Sequence, residues 1–356
     1  MPMSSPEPRV LRYVDALREA VDQEMERDPS VFVFGLDVDD HKSIQGSTAG
    51  LLARYGADRV FTTPLSEDAM TGVAIGAAMA GLRPVHVHIR MDFLLLCMNQ
   101  LVNIAAKAHY MWGGQVKVPL VVRSMIGKSW GQGAQHSQGL HGMFTHVPGL
   151  KVVAPSNAHD VKGCMIAAIR DDNPVVFMEH RLLYNTESAV PAHPYTVGPG
   201  ESRVCTRGDD VTIVGISNMA QEAIRAAELL REVGVTAEVI DPIWLMPLDI
   251  DTILASARRT GRLLVIDNGW MAGGLSAEIV AAVAEAAGPS AGIKFARMGF
   301  APTPCPTSPW LEDHFYPNPG SIAARAWAMV RPERERWVPS AESAKLAYQV
   351  QFKGPF

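Results

Sequence analysis

The sequence predicts two successive α/β domains, each built on a largely parallel sheet. Three observations carry this. The 356 residues suffice for about two cores. Short apolar runs rich in Val, Ile and Phe alternate with stretches of helical apolar spacing. The alternation breaks over a Pro-, Gly-, Ser- and Thr-rich stretch from Tyr184 to Asp210 and then restarts.

In chain order, Tyr13, Val14, Leu17, Val21 and Met25 fall at helical spacing, and Asp28-Pro29 ends that helix. Val31 to Phe34 is a buried strand closed by Gly35. Ser47 to Tyr55 reads as a helix stopped by Gly56, and Val60 to Thr63 as a strand. Asp68 to Gly81, crowded with Ala and Gly, is a helix able to approach its neighbours closely. A strand at Val85 to Ile89 precedes one long helix from Phe93 to Met111. Strands follow at Val118 to Arg123 and Lys151 to Ala154, a helix at Val161 to Arg170, and a strand at Pro174 to Met178. Past the break come a strand at Val211 to Ile216, a helix at Ala220 to Val233 and a strand at Ala237 to Ile240. A strand at Leu263 to Ile266 and a helix at Leu275 to Ala287, behind Gly273 and Gly274, complete the pattern. The expected division is a first domain at 1–190, a linker at 191–210, a second domain at 211–340 and a tail at 341–356.

Composition narrows the function classes. A hydrophobic fraction of 47% and a mean hydropathy of +0.06 suit an ordinary globular protein. A net charge of −5 gives no electrostatic reason to expect nucleic acid or an anionic membrane as partner. Cys97, Cys164, Cys205 and Cys305 lack CxxC spacing, which argues against a zinc site or a disulfide scaffold and suits a reducing cytoplasm. The start, MPMSSPEPRV, has no apolar signal core, and no apolar run reaches membrane-spanning length. A soluble, cytoplasmic protein is expected.

Two segments invite chemistry. Thr62 to Glu67 puts a carboxylate at a strand-to-helix junction, where parallel sheets usually bind ligands. A helix dipole alone also favours an acid there. Gly131 to Gln138 is a polar, glycine-rich loop in an apolar domain, suited to substrate contact or simply to a surface turn.

With these in view the chain resembles the beta subunit of the thiamine-diphosphate-dependent decarboxylating component of 2-oxoacid dehydrogenase complexes, of pyruvate and acetoin type. The resemblance spans nearly the whole chain. It rests on Thr63-Pro64-Leu65-Ser66-Glu67, on Gly76 to Pro84, on Gly133-Ala134-Gln135-His136-Ser137-Gln138, on Val147 to Val153 and on Ala168 to Pro174. It implies a transketolase-like pyrimidine-binding domain followed by a transketolase C-terminal domain. It implies that Glu67 hydrogen-bonds the aminopyrimidine of thiamine diphosphate and favours the tautomer that takes the thiazolium proton. It further implies that Leu65 and Phe93 contact that ring, Phe93 by packing on it, and that His136 assists at the reacting carbon. A structural potassium ion is implied at Leu120, Ala168, Ile169, Asp171 and Asn173.

The Gly-Asp-Gly motif that such enzymes use for diphosphate and magnesium is missing, since Gly208-Asp209-Asp210 lacks the second glycine. The resemblance therefore implies an alpha-type subunit that holds magnesium and the diphosphate, in an alpha2beta2 heterotetramer, with a lipoyl acyltransferase core as a further partner. The activity implied is oxidative decarboxylation of a 2-oxoacid with acyl transfer to lipoyl. A non-oxidative acyl or ketol transferase and a non-catalytic assembly subunit are the alternatives.

Some positions depart from the family. Leu36 stands where an acid is usual, so Asp37 substitutes for it, the chemistry differs, or the change is silent at a strand end. His86, His88 and Arg90 alternate onto one strand face. That face could read an anionic or hydroxylated substrate, or offer two ligands to a metal with no evident third. A polar subunit interface is its ordinary reading. Trp130 is a candidate pocket wall, and Asp267 to Trp270 suggests a contact region rather than a catalytic one.

Overall fold

The structure, a computed structural model, describes residues 9–40, 44–127 and 131–343. Trp130 lies outside them.

Val10–Arg12 (β1) runs into the helix Tyr13–Arg27 (α1), whose Val14, Leu17, Val21 and Met25 are all buried. Val31–Gly35 (β2), the short helix Leu51–Tyr55 (α2), Val60–Thr62 (β3), Glu67–Met79 (α3) and Arg83–His88 (β4) follow. Next comes a winding stretch, 3₁₀ over Met91–Cys97, π-helical over Asn99–Ala105 and α-helical over Ala106–Met111 (α4). Val121–Ile126 (β5), His141–Thr145 (α5), Lys151–Val153 (β6), Ala158–Arg170 (α6), Val175–His180 (β7) and Glu187–Ala189 (β8) complete the first half. The second half holds Arg203–Thr206 (β9), Val211–Gly215 (β10), Asn218–Glu232 (α7), Ala237–Asp241 (β11) and Trp244–Met246 (β12). It continues with Ile250–Thr260 (α8), Arg262–Trp270 (β13), Leu275–Ala287 (α9), Lys294–Phe300 (β14), Pro309–Glu312 (α10) and Pro319–Val330 (α11).

Among the described residues the main sheet has the order β12-β6-β7-β5-β4-β2-β3, and the second sheet the order β14-β13-β10-β11-β9. Strands β2 to β7 pair in parallel, and β5 and β7 are buried at every residue. Burial on both faces is what parallel sheets require, and it explains their continuous apolar runs. One face packs under α1 and α6, with Leu17, Val21, Val161 and Met165. The other packs Phe34, Val122 and Val176 under α3 and the winding stretch.

Several elements differ from expectation for identifiable reasons. The helix expected from Ser47 begins only at Leu51, because Gly46 and Gly50 have φ of 95° and 79°. The strand expected from Val118 begins at Val121, since Pro119 has no N–H to give a ladder. The expected linker contains β9, which pairs antiparallel with β11, and Arg203 on it is bound by Asp160 of α6. A strand of four residues offers too little periodicity to be read. Strand β12, from the second half of the chain, joins the main sheet beside β6. The two halves are thus interlocked rather than tethered. The seam is tight at Gly139, where an added Cβ would sit 1.8 Å from the carbonyl oxygen of Asn268. A groove of about 700 Å³, lined by Met98, Met143, Leu245 and Met246 among others, runs along it.

Candidate active site

The connection from β2 leads to β3 on one side, while that from β4 leads to β5 on the other. Between β2 and β4 the sheet therefore has a topological switch point, and parallel sheets usually bind ligands outside the carboxyl edge at such a point. The segments singled out for cofactor and substrate contact emerge at this edge. Leu36 follows β2, Thr63 to Glu67 follow β3, Arg90 to Phe93 follow β4, the glycine-rich loop follows β5 and Arg181 follows β7. Leu36 is anchored there by its N–H, which donates to the Val87 carbonyl at 3.2 Å.

Glu67 is the first residue of α3 and half-buried, in a turn whose acids suit the helix dipole. Helix α3, which Glu67 opens, packs against the winding stretch that bears Phe93. Leu65 is 77% exposed and Phe93 37% exposed. The Phe93 ring meets the His136 imidazole edge to face, with centroids 5.3 Å apart. Carboxylate, aromatic face and imidazole thus line one edge and stay open to a ligand. This donor set fits an aminopyrimidine, a flat ring needing an apolar face and a carboxyl partner. When bound, thiamine diphosphate would supply an acidic thiazolium carbon and an electron sink. Glu67 would hold the proton at the ring, and Phe93 would orient the ring.

The loop bearing His136 is fixed by Asp92. That carboxylate is buried and accepts from the Gln138 backbone N–H at 3.2 Å and from its Nε2 at 2.9 Å. Burial raises the Asp92 carboxyl above its usual range, and the Gln138 hydrogen bonds oppose the rise. Behind the loop, Arg181 donates from Nη2 to Gln132 Oε1 at 2.9 Å. Deeper still, Arg123 is fully buried and bound on two nitrogens by Glu179, at 2.6 and 3.0 Å. Tyr184 donates to the same carboxylate, and Arg123 also donates to Ser47. Asp92, Arg123, Glu179 and Arg181 escaped the sequence reading. The available signal was charge at the carboxyl ends of central strands, which buried positions rarely carry without a partner.

Other expectations need correction. His86 and His88 do not form an interface face, since both rings are buried in the chain's own core. His86 stacks on Phe34 at 4.4 Å, and His88 meets His86 edge on at 4.3 Å. Helices cover this face of the sheet, which strand alternation alone does not reveal. Burial lowers His86 to about 4, so the ring is neutral at pH 7, and burial lowers His88 well below its ordinary value. Asp37 is exposed, with φ of 54°. His141 is buried against Asp267 at 2.8 Å, and the other oxygen of Asp267 accepts from the Ser276 N–H in α9. That triad ties α5 to the second sheet. Asp267 therefore serves packing between the halves, and all four cysteines are free thiols.

The five residues implied for potassium gather where α6 ends beside the start of β7. The Ile169 and Asp171 carbonyls accept from Arg83 Nη1 at 2.9 and 3.0 Å. The Leu120 and Ala168 carbonyls accept from Val175 and Asp171 N–H groups, and Lys151 pairs with the Asp171 carboxylate. The Arg83 guanidinium thus already places a positive charge on the Ile169 and Asp171 carbonyls.

Residues 10–187 match the family described as "Transketolase, pyrimidine binding domain", and residues 200–322 match "Transketolase, C-terminal domain". The acetoin:2,6-dichlorophenolindophenol oxidoreductase subunit beta of Cupriavidus necator is 44% identical over 87% of this chain and 95% of that protein. The pyruvate dehydrogenase E1 component subunit beta of Rickettsia bellii is 45% identical over 76% of this chain and 83% of that protein.

The chain belongs to the E1 beta family of 2-oxoacid dehydrogenases.

The fold of this E1 beta chain matches a solved structure described as a split-gene transketolase, an inactive beta4 tetramer. The TM-score is 0.73 at 22% identity, covering 90% of this chain and 98% of that one. Within the E1 beta family the implied two-domain fold holds, and the two alternative functions are not favoured. No helix among the described residues is long and apolar enough to cross a membrane.

Proposed function

We propose that this chain is the beta half of a thiamine-diphosphate enzyme that oxidatively decarboxylates a 2-oxoacid and passes the acyl group to a lipoyl group. Glu67 is its cofactor-activating carboxylate, Leu65 and Phe93 seat the pyrimidine, and His136 acts at the reacting carbon. The observation that supports this is that Glu67, Phe93 and His136 all follow the carboxyl ends of strands around the switch point, none of them buried, with Phe93 and His136 in ring contact. An alpha-type subunit, in an alpha2beta2 assembly, completes the site and holds magnesium and the diphosphate. A lipoyl acyltransferase core receives the acyl group. Potassium binds at Leu120, Ala168, Ile169, Asp171 and Asn173. The free thiols accord with a cytoplasmic location.

Apolar side chains left open around Glu67 support the partner. Leu65, Val73, Leu95, Leu96 and Phe93 are exposed on α3, the turn before it and the stretch that packs on it, and exposed apolar side chains gathered on neighbouring elements suit an interaction surface. Glu67→Gln, assayed with the alpha partner and an artificial electron acceptor, is expected to lower turnover by roughly 10²- to 10⁴-fold with the fold intact. Near-normal turnover would remove Glu67 from its role.

A further inference from the structure

We propose that the second domain sets the position of the His136 loop through a proline-stiffened strap, with Thr307 as the positioning residue. This rests on the role proposed above for His136.

The strap is the segment from Ala301 to Ser308, between β14 and α10. Its sequence alternates proline with other residues at Pro302, Pro304 and Pro306, and Pro309 opens α10. Proline fixes its own φ and restricts the residue before it, so the segment has little freedom to give way. It is tied to the second domain at two points. At its start, the Trp270 indole N–H donates to the Ala301 and Thr303 carbonyls at 3.0 and 3.1 Å. The Ala301 N–H donates to the Phe315 carbonyl at 2.9 Å. Midway, Cys305 is buried with Phe300, Phe315 and Tyr316, its sulfur 3.2 Å from the Tyr316 hydroxyl.

Beyond Cys305, Thr307 meets the glycine-rich loop. A Cβ on Gly131 would fall 3.0 Å from the Thr307 carbonyl oxygen, and one on Gly133 2.7 Å from the Thr307 Cγ2 methyl. The Gly133 carbonyl accepts from the His136 N–H at 3.5 Å, so the glycine pressed on Thr307 and the histidine share one turn. The first domain holds the same loop differently. Arg181 donates to Gln132, Asp92 accepts from Gln138, and the Phe93 ring meets His136. The loop is thus tied by hydrogen bonds to one domain and pressed by close contact against the other. A displacement of about 1 Å at a reacting group can cost roughly 10²-fold in rate, so a stiff backing matters.

The test uses the co-expressed alpha–beta complex, with and without thiamine diphosphate. Gly133→Ala drives a methyl onto Thr307 and is expected to lower kcat by roughly tenfold, with KM changed less. Part of that loss is backbone strain, since Gly133 has φ of 69°. Thr307→Ala in the same chain removes the colliding methyl and should recover about threefold in kcat. Exchange at the thiazolium carbon, which depends on Glu67, should stay near wild type throughout, whereas a general loss of structure would lower it. Without the cofactor, backbone amide exchange over residues 131–139 should rise in Gly133→Ala and fall back in the double variant. If Gly133→Ala fails to fold, Thr307→Ala alone should raise that amide exchange and lower kcat, and Thr307→Val, which keeps the methyl, should recover both. No recovery in the double variant, or a Thr307→Ala chain indistinguishable from wild type, would overturn the strap and leave the role of His136 standing. Wild-type turnover in His136→Ala would overturn that role and the strap's with it.

Discussion

Charged side chains set inside the main sheet are the most consequential single residues outside the candidate site. Arg123 and Glu179 face each other on neighbouring strands with no solvent exposure, and Tyr184 and Ser47 satisfy further atoms of the pair. Removing one charge strands the other in a medium that solvates it poorly. Arg123→Met is expected to destabilise the chain by about 3–5 kcal/mol, measured by urea unfolding, whereas exposed pairs such as Arg54–Glu26 contribute little. Loss of less than about 1 kcal/mol would mean that the pair adds nothing net. The place of Glu67 at a strand-to-helix junction was readable from sequence, because a short apolar strand and an Ala- and Gly-rich helix flank it. Arg181 was not, because its partner Gln132 is distant in sequence and brought close only by the fold. The two buried histidines were legible as a pair on one face, but not as core residues.

Among the elements, strand ends do most of the positioning. At the end of β11, Asp241 is fully buried, accepts from the Ile243 N–H at 2.9 Å and from the Ser156 hydroxyl, and fixes the turn into β12. Burial raises its carboxyl to about 7 from an ordinary 3.8. The folded state thus holds a proton that the unfolded chain releases, and stability falls as pH rises between these two values. The slope from this group is roughly 1.4 kcal/mol per pH unit. Asp241→Asn should flatten that fall in urea titrations at pH 5 and pH 7, and an unchanged slope would refute the assignment. At the end of α6, replacing potassium by choline should lower the melting temperature of the alpha–beta complex if the carbonyl cluster holds the ion. Identical melting in both salts would empty that site. Long apolar strands were legible because burial on both faces leaves an unbroken run. Short antiparallel edges such as β9 and β12 were not, since their partners alone define them. Phe93 to Met111 reads as one helix, because apolar spacing does not distinguish the three windings found from Met91 to Met111.

On the scale of the whole molecule, two sheets are locked by an exchanged strand, by the Gly139–Asn268 approach and by the His141–Asp267 pair. This rigid frame leaves one edge open, with Glu67 amid exposed apolar side chains. A carboxylate placed there is most useful when a second polypeptide closes over it and excludes water. The division into two α/β units was legible from the alternation of elements, but the interlock was not. The most direct measurement is hydrogen–deuterium exchange at the thiazolium carbon of thiamine diphosphate bound to the alpha–beta complex. Wild type should exchange at least 10²-fold faster than Glu67→Gln with the cofactor still bound in both. Equal rates at equal occupancy would contradict the role given to Glu67.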